Sequence, residues 1–214
     1  MGLKKVLIAD DHVIIRHGLK YLINSTFNDL EVYETDSVKG INKLMQIHVF
    51  DYLILDMQMQ DGNIIEIFSN IKSNYPRVRT LIYTMSAEDI FGKRMLQLGA
   101  DGFISKLSSE LETINALKLF FSNKRYISKR LAEQLSNEQL EKKITINPFE
   151  KLSDRELAVL NYLLKGDGVK TIAVNLKIKT NTVATFKARI FNKLGINNLI
   201  DLRNLTELYN FKPN

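Results

Sequence analysis

Four short apolar runs in the first half of the chain each end on one polar functional group, and this limits the folds open to it. Val6-Leu7-Ile8-Ala9 runs into Asp10-Asp11, Tyr52-Leu53-Ile54-Leu55 into Asp56, Leu81-Ile82-Tyr83 into Thr84, and Gly102-Phe103-Ile104-Ser105 into Lys106. Unbroken apolar runs of this length read as strands covered on both faces. Strands are predicted near 4–9, 31–35, 52–55, 79–84 and 102–105, and helices near 13–24, 37–47, 63–73, 87–98 and 108–121. Five strand–helix repeats with short connections predict an α/β domain with a doubly wound five-stranded parallel sheet. A flavodoxin-like strand order, 2-1-3-4-5, puts the ends of strands 1 and 3 side by side where the winding reverses, the place where open sheets bind ligands. Asp10, Asp11 and Asp56 then converge.

Taken singly, each of these residues has an ordinary structural use: an Asp caps a helix, a Thr bonds backbone, a Lys is solvated. As an ordered set, the acidic pair, Asp56, Thr84 and Lys106 resemble the receiver domain of two-component response regulators over roughly the first 120 residues. The resemblance implies that Asp56 accepts a phosphoryl group from a sensor histidine kinase. It implies a Mg2+ held by Asp11 directly, by Asp10 mainly through water, by Asp56, and by the backbone carbonyl of Gln58. Lys106 and Thr84 would then contact phosphoryl oxygens. Phe103, three residues before the Lys, takes the place of the family's switch aromatic and would fill space vacated by Thr84. Three positions depart from the family's habit: Val13, Gln60 and Leu107 stand where proline is frequent. Gln58 and Ser86 occupy positions that modulate phosphate lifetime in receivers.

Beyond residue 122 the character changes. Residues 123–150 are polar, with Lys142-Lys143 and Asn147-Pro148 near their end, and read as a partly helical linker between a domain at 1–122 and another at 151–214. The last part needs no strand. Ser153 with Glu156 three residues on is a capping box for a helix through Leu164. Gly166-Asp167-Gly168 breaks it, a short helix follows near 169–176, a third runs from about Thr180 to Lys193 before Gly195, and a last spans about 198–210. Four helices with tight turns predict a small all-α domain containing a helix-turn-helix. Its charge agrees with a nucleic-acid partner: residues 1–127 carry 15 basic and 15 acidic side chains, residues 151–214 carry 11 and 5.

The run from Leu152-Ser153-Asp154-Arg155-Glu156 through Thr182-Val183 to Lys193-Leu194-Gly195-Ile196 is similar to the LuxR-type helix-turn-helix of the NarL/FixJ subfamily. That resemblance implies a third helix in the major groove of promoter DNA. Helical spacing turns Val183, Phe186, Ile190 and Leu194 to the core and leaves Asn181, Ala184, Thr185, Ala188, Arg189 and Asn192 outward. Thr182 belongs to the same DNA-binding stretch, and Lys179, Lys187, Arg189 and Lys193 are the expected phosphate contacts. Ala184 and Ala188 stand where the family often has Lys, and Lys179 where it has Ser; the alanine methyls can still meet thymine methyls. Leu199, Leu202, Leu205, Leu208 and Tyr209 exceed one bundle face, which suits a homodimer contact.

Other classes fit poorly. There is no cysteine for a disulfide or thiolate metal site, no apolar run of membrane-spanning length, no P-loop and no Gly-x-Ser-x-Gly. The three histidines, His12, His17 and His48, are too scattered in sequence to form a metal cluster among themselves. Gln58 stands where a haloacid-dehalogenase phosphotransferase carries its second Asp. The expectation is a cytoplasmic, non-enzymatic regulator whose phosphorylation controls dimerisation and promoter binding, with RNA polymerase a further partner. The alternative is a phosphorylation-independent or partner-binding regulator with degenerate DNA recognition.

Overall fold

The computed structural model describes residues 2–141 and 147–211. Contacts divide the chain into two units, Met1–Asn137 and Glu138–Asn214, a division that falls inside the predicted linker. Lys142 and Lys143 of that linker, and the last three residues, lie outside the described residues.

In the first unit the apolar runs form β1 (Lys4–Ala9), β2 (Leu30–Thr35), β3 (Tyr52–Leu55), β4 (Arg79–Thr84) and β5 (Gly102–Ser105). Between and after them lie α1 (Val13–Thr26), α2 (Val38–Ile47), α3 (Ile64–Asn74), α4 (Glu88–Gln97) and α5 (Glu110–Phe121). The sheet is parallel in the order β2-β1-β3-β4-β5, as expected. Alternate residues serve opposite faces. Val6, Ile8, Tyr52, Ile54, Leu81 and Ile104 pack with Leu19, Ile23, Leu117 and Phe120 of α1 and α5. The intervening Leu7, Leu53, Leu55, Ile82 and Phe103 are equally buried on the other face. Each such side chain contributes about 1.5–3 kcal/mol by leaving water.

Register sets where the strands stop. Ala9 pairs with both Thr35 and Leu55, and Leu55 pairs with Ile82. The ladder continues for one residue beyond the strands: Asp10 N–H donates to Thr35 O at 3.1 Å, Asp56 N–H to Ala9 O at 2.9 Å, and Lys106 N–H to Thr84 O at 2.9 Å. The polar residues that end the runs are therefore fixed in backbone position on one rim of the sheet.

Part of the predicted linker belongs to the first unit. Tyr126 forms a parallel bridge with Gly102, and its hydroxyl donates to Glu112 at 2.8 Å. A sixth helix, α6 (Lys129–Glu141), then lies on α4. Leu131 is fully buried, and Gly92 makes room for it: a Cβ there would lie 3.0 Å from a Leu131 methyl. Ser128 donates to Glu88 at 2.7 Å, and Arg130 pairs with Asp89 at 3.1 Å. Burial raises the Glu88 carboxyl above its ordinary value despite the Ser128 bond.

The second unit opens with a single 3-10 turn, Pro148–Lys151, followed by α7 (Asp154–Leu164), α8 (Val169–Leu176), α9 (Thr180–Leu194) and α10 (Leu199–Leu208). Val159, Leu160, Ile172, Val183, Ile190, Leu194, Leu202 and Leu205 form its buried interior. Phe186, expected there, is only half-buried. On α10, Leu202, Leu205 and Leu208 are buried while Leu199 is exposed. Gly195, in the left-handed region at φ 66°, ends α9 as predicted. Lys177 ends α8 in the same left-handed conformation at φ 55°, which costs a residue with a Cβ about 1–2 kcal/mol.

The capping box is present and carries more than a cap. Glu156 is buried, and one of its oxygens accepts from Ser153 N–H at 2.8 Å, Ser153 Oγ at 2.9 Å and Lys193 Nζ at 2.6 Å. Lys193 also donates to Lys151 O at 3.2 Å. The ammonium expected at a DNA phosphate is thus engaged inside its own domain, because a buried carboxylate requires a counter-charge. Lys193 first, then the Ser153 backbone N–H, holds the Glu156 carboxyl down at about 2. A depressed carboxyl stabilises the fold in full above its ordinary value near 4.5 and loses that contribution as pH falls toward about 2. Unfolding of the full chain, followed at α7 and α9 amides by NMR, should lose stability across this window in the wild type and much less in Glu156→Gln. Parallel pH profiles for the two proteins would contradict this role.

Candidate phosphoryl and nucleic-acid sites

At the rim of the sheet, Lys106 lies between two buried carboxylates. Its Nζ is 2.6 Å from Asp10 Oδ2 and 2.7 Å from Asp56 Oδ2. The Asp56 contact has hydrogen-bond geometry; the Asp10 contact does not, so Asp10 Oδ2 remains without a hydrogen bond although an ammonium is close. Asp56 Oδ1 accepts the Gln58 N–H at 3.1 Å. Asp10 Oδ1 accepts the His12 N–H at 2.9 Å, and Arg16 anchors the Asp10 carbonyl at 2.6 Å. Asp11 is partly exposed, with its Oδ1 2.8 Å from His12 Nδ1. One ligand atom from each of Asp10, Asp11, His12 and Asp56 lies within 4.8 Å of the others.

This arrangement can hold a hard divalent cation. Three carboxylates face one ammonium, and two buried carboxylate oxygens without hydrogen bonds, Asp10 Oδ2 beside Lys106 and Asp11 Oδ1 beside His12, lie within the cluster. Oxygen donors that leave several positions for water suit Mg2+. The predicted residues Asp10, Asp11, Asp56 and Lys106 are therefore brought together, and Gln58 is tied to Asp56 through its own amide.

Thr84 is placed differently. Its hydroxyl donates to Ser86 Oγ at 3.4 Å and accepts the Ser86 N–H at 3.2 Å, while Gln58 Nε2 reaches the same Ser86 Oγ at 3.4 Å. A polar chain thus runs from the Asp56 loop to the residue two positions before α4. Phe103 is fully buried. Ile82 pairs with Phe103 across the sheet, and Thr84, two residues on from Ile82, shares their face.

Two participants escaped the sequence reading. His12 was considered only against the other histidines, yet the turn after β1 sets its ring against both acids. Arg16, one turn into α1, reaches back to the strand end. The acidic pair followed directly by a helix was the available signal, since such a helix turns its first residues over the rim.

In the second unit, α9 presents Asn181, Ala184, Thr185, Ala188, Arg189 and Asn192 to solvent, the outward face predicted. Thr182 is half-buried, and the Thr185 hydroxyl is taken by Asn181 O at 2.9 Å. Lys187 lies over the Phe191 ring at 5.4 Å, and Lys179 is exposed just before the helix. Lys193 is turned to an internal carboxylate, that of Glu156. No helix among the described residues is long and apolar enough to cross a membrane.

Comparison with known proteins agrees with both halves. Residues 6–118 match the response regulator receiver domain, and residues 150–206 match the luxR family of bacterial regulatory proteins. The chain is 28% identical over 200 residues to the response regulator UvrY of Escherichia coli K12, covering 94% of this chain and 92% of the relative. It is 34% identical over 201 residues to the oxygen regulatory protein NreC of Staphylococcus epidermidis, covering 90% and 91%. Its fold is similar to that of RcsB from Salmonella enterica serovar Typhimurium, solved on a promoter with a phosphomimetic. That match has a TM-score of 0.64 at 23% identity, over 96% of this chain and 98% of RcsB. With a receiver domain joined to a LuxR-type DNA-binding domain, this chain belongs to the NarL/FixJ response regulators and is a DNA-binding regulator of transcription.

Proposed function

We propose that the chain takes a phosphoryl group from a sensor histidine kinase onto Asp56, and that loading this carboxylate controls dimerisation and promoter binding. The observation that carries the reading is the Lys106 ammonium held between Asp10 and Asp56 beside an open-sided acidic cluster. An Asp56 oxygen attacks phosphorus, the bond from phosphorus to the donor imidazole nitrogen breaks, and that nitrogen leaves with the electron pair. Asp11, Asp56 and the Gln58 carbonyl, with Asp10 mainly through water, would hold a Mg2+ that would supply charge neutralisation for the phosphoryl oxygens.

Both Asp56 oxygens have partners in the present state, Lys106 on one and Gln58 N–H on the other. The incoming group must therefore displace something, and Lys106 is placed to exchange a carboxylate oxygen for a phosphoryl oxygen. Thr84 can offer its hydroxyl to another oxygen only by leaving Ser86. That movement opens space on the sheet face it shares with Phe103, the route from added charge to packing.

On the DNA side, Lys179, Thr182, Ala184, Thr185, Lys187, Ala188 and Arg189 form the contact face, with bases read along α9 and phosphates met by the cations. Lys193 stays in the set, with its ammonium shared with Glu156 and its side chain partly exposed. A homodimer on promoter DNA, contact with RNA polymerase and a cytoplasmic location complete the reading.

Intact mass after incubation with acetyl phosphate and Mg2+ tests the acceptor. The wild type should gain one phosphoryl group, and Asp56→Asn none. Equal gain by the variant would move the acceptor elsewhere.

A further inference from the structure

The oxygen donors of the acidic cluster leave one neighbouring side chain without a role. His12 is the N-cap of α1, yet its side chain caps no backbone N–H of that helix. Ser, Thr, Asp and Asn cap well, and helix stability alone would favour one of them there. The imidazole is turned the other way, onto the acids that precede it. Its Nδ1 lies 3.3 Å from Asp10 Oδ1, a long hydrogen bond, and 2.8 Å from Asp11 Oδ1. The backbone steadies the residue, because the His12 N–H donates to Asp10 Oδ1 at 2.9 Å.

The shorter contact is the informative one. Asp11 Oδ1 is buried and accepts no hydrogen bond, so a shared proton does not account for the approach of the nitrogen to 2.8 Å. Two ligands side by side on one cation, each at about 2.0–2.1 Å, stand about 2.9 Å apart in an octahedral site and about 3.4 Å apart in a tetrahedral one. Nδ1 is already spaced in this way from both carboxylates. The nitrogen also belongs to the cluster as a whole, since one ligand atom from each of Asp10, Asp11, His12 and Asp56 lies within 4.8 Å of the others. With 59% of its side chain exposed, the ring can keep its proton on Nε2 and turn the Nδ1 lone pair to the acids. His48, by contrast, packs on the Tyr33 and Phe50 rings.

We propose that His12 is a cation ligand through Nδ1 and sets the metal preference of the cluster, so that it takes a divalent transition ion of the Zn2+ type as well as Mg2+. The proposal rests on the reading of the acidic cluster as a cation site, and adds to it a residue and a selectivity. Mg2+ prefers oxygen donors and keeps its waters, whereas imidazole suits the transition ions. The carboxylates therefore serve either ion, and the His12 nitrogen distinguishes them. Binding the transition ion exchanges the long hydrogen bond to Asp10 for a metal bond.

The test uses the untagged full chain labelled with 15N-histidine, and Mg2+ or Zn2+ alone as the probe. One equivalent of Zn2+ should move the His12 Nδ1 resonance to the position of a metal-bound nitrogen, while His17 and His48 keep theirs. Mg2+ should leave all three in place. In calorimetry, His12→Asn should weaken Zn2+ binding by about tenfold or more and change Mg2+ binding by less than about twofold, which also shows that the variant is folded. If Mg2+ binds and Zn2+ leaves the His12 Nδ1 resonance unmoved, or if His12→Asn weakens both ions equally, the His12 ligand is overturned and the acidic cation site stands. If neither ion binds the wild type, both fall together.

Discussion

The ammonium of Lys106 between Asp10 and Asp56 is the interaction on which the first unit's chemistry depends. It comes from β5, while the carboxylates come from β1 and β3, so three strands must end at one rim in one register. Two buried carboxylates this close would repel without it, and a lone buried ammonium would be equally costly. The sheet can hold the cluster because its strands are apolar to their last residue and backbone bonds continue one residue further. The result is a site in which two buried carboxylates share one ammonium, with the partly exposed Asp11 beside them.

The second unit solves a similar problem for a different end. Glu156 is buried to fix the start of α7, and Lys193 near the end of α9 supplies its counter-charge. This bridge ties α7 to α9, the helix whose outward face is the proposed DNA contact. It fixes the orientation of that helix within its domain. Lys193 thereby helps to hold α9 in place within its domain.

Much of this was legible in the sequence, and the reason is local. A buried parallel strand has to be apolar throughout, so a polar residue at its end stands out, and Asp10, Asp56, Thr84 and Lys106 were found that way. The Ser153 and Glu156 box and the Gly195 stop are read from neighbours in the chain. What was not legible depends on partners distant in sequence. The docking of Leu131 under Gly92 looks like an isolated apolar residue in a polar linker until α4 is in place. His12 and Arg16 are ordinary residues until the turn after β1 brings them to the acids. Lys193 counts as one more basic residue until the burial of Glu156 is known. Lys177 shows nothing in its identity, since only the backbone angle marks it.

The central claim is that loading Asp56 changes what the C-terminal unit does on DNA. The most direct measurement is duplex affinity on one preparation at fixed salt, before and after beryllofluoride and Mg2+, for the wild type and for Thr84→Ala. The account predicts tighter binding by the wild type after treatment and a much smaller change in the variant, whose side chain cannot follow the new charge. Equal affinity of the wild type in both states would contradict the claim and leave the receiver unconnected to DNA binding.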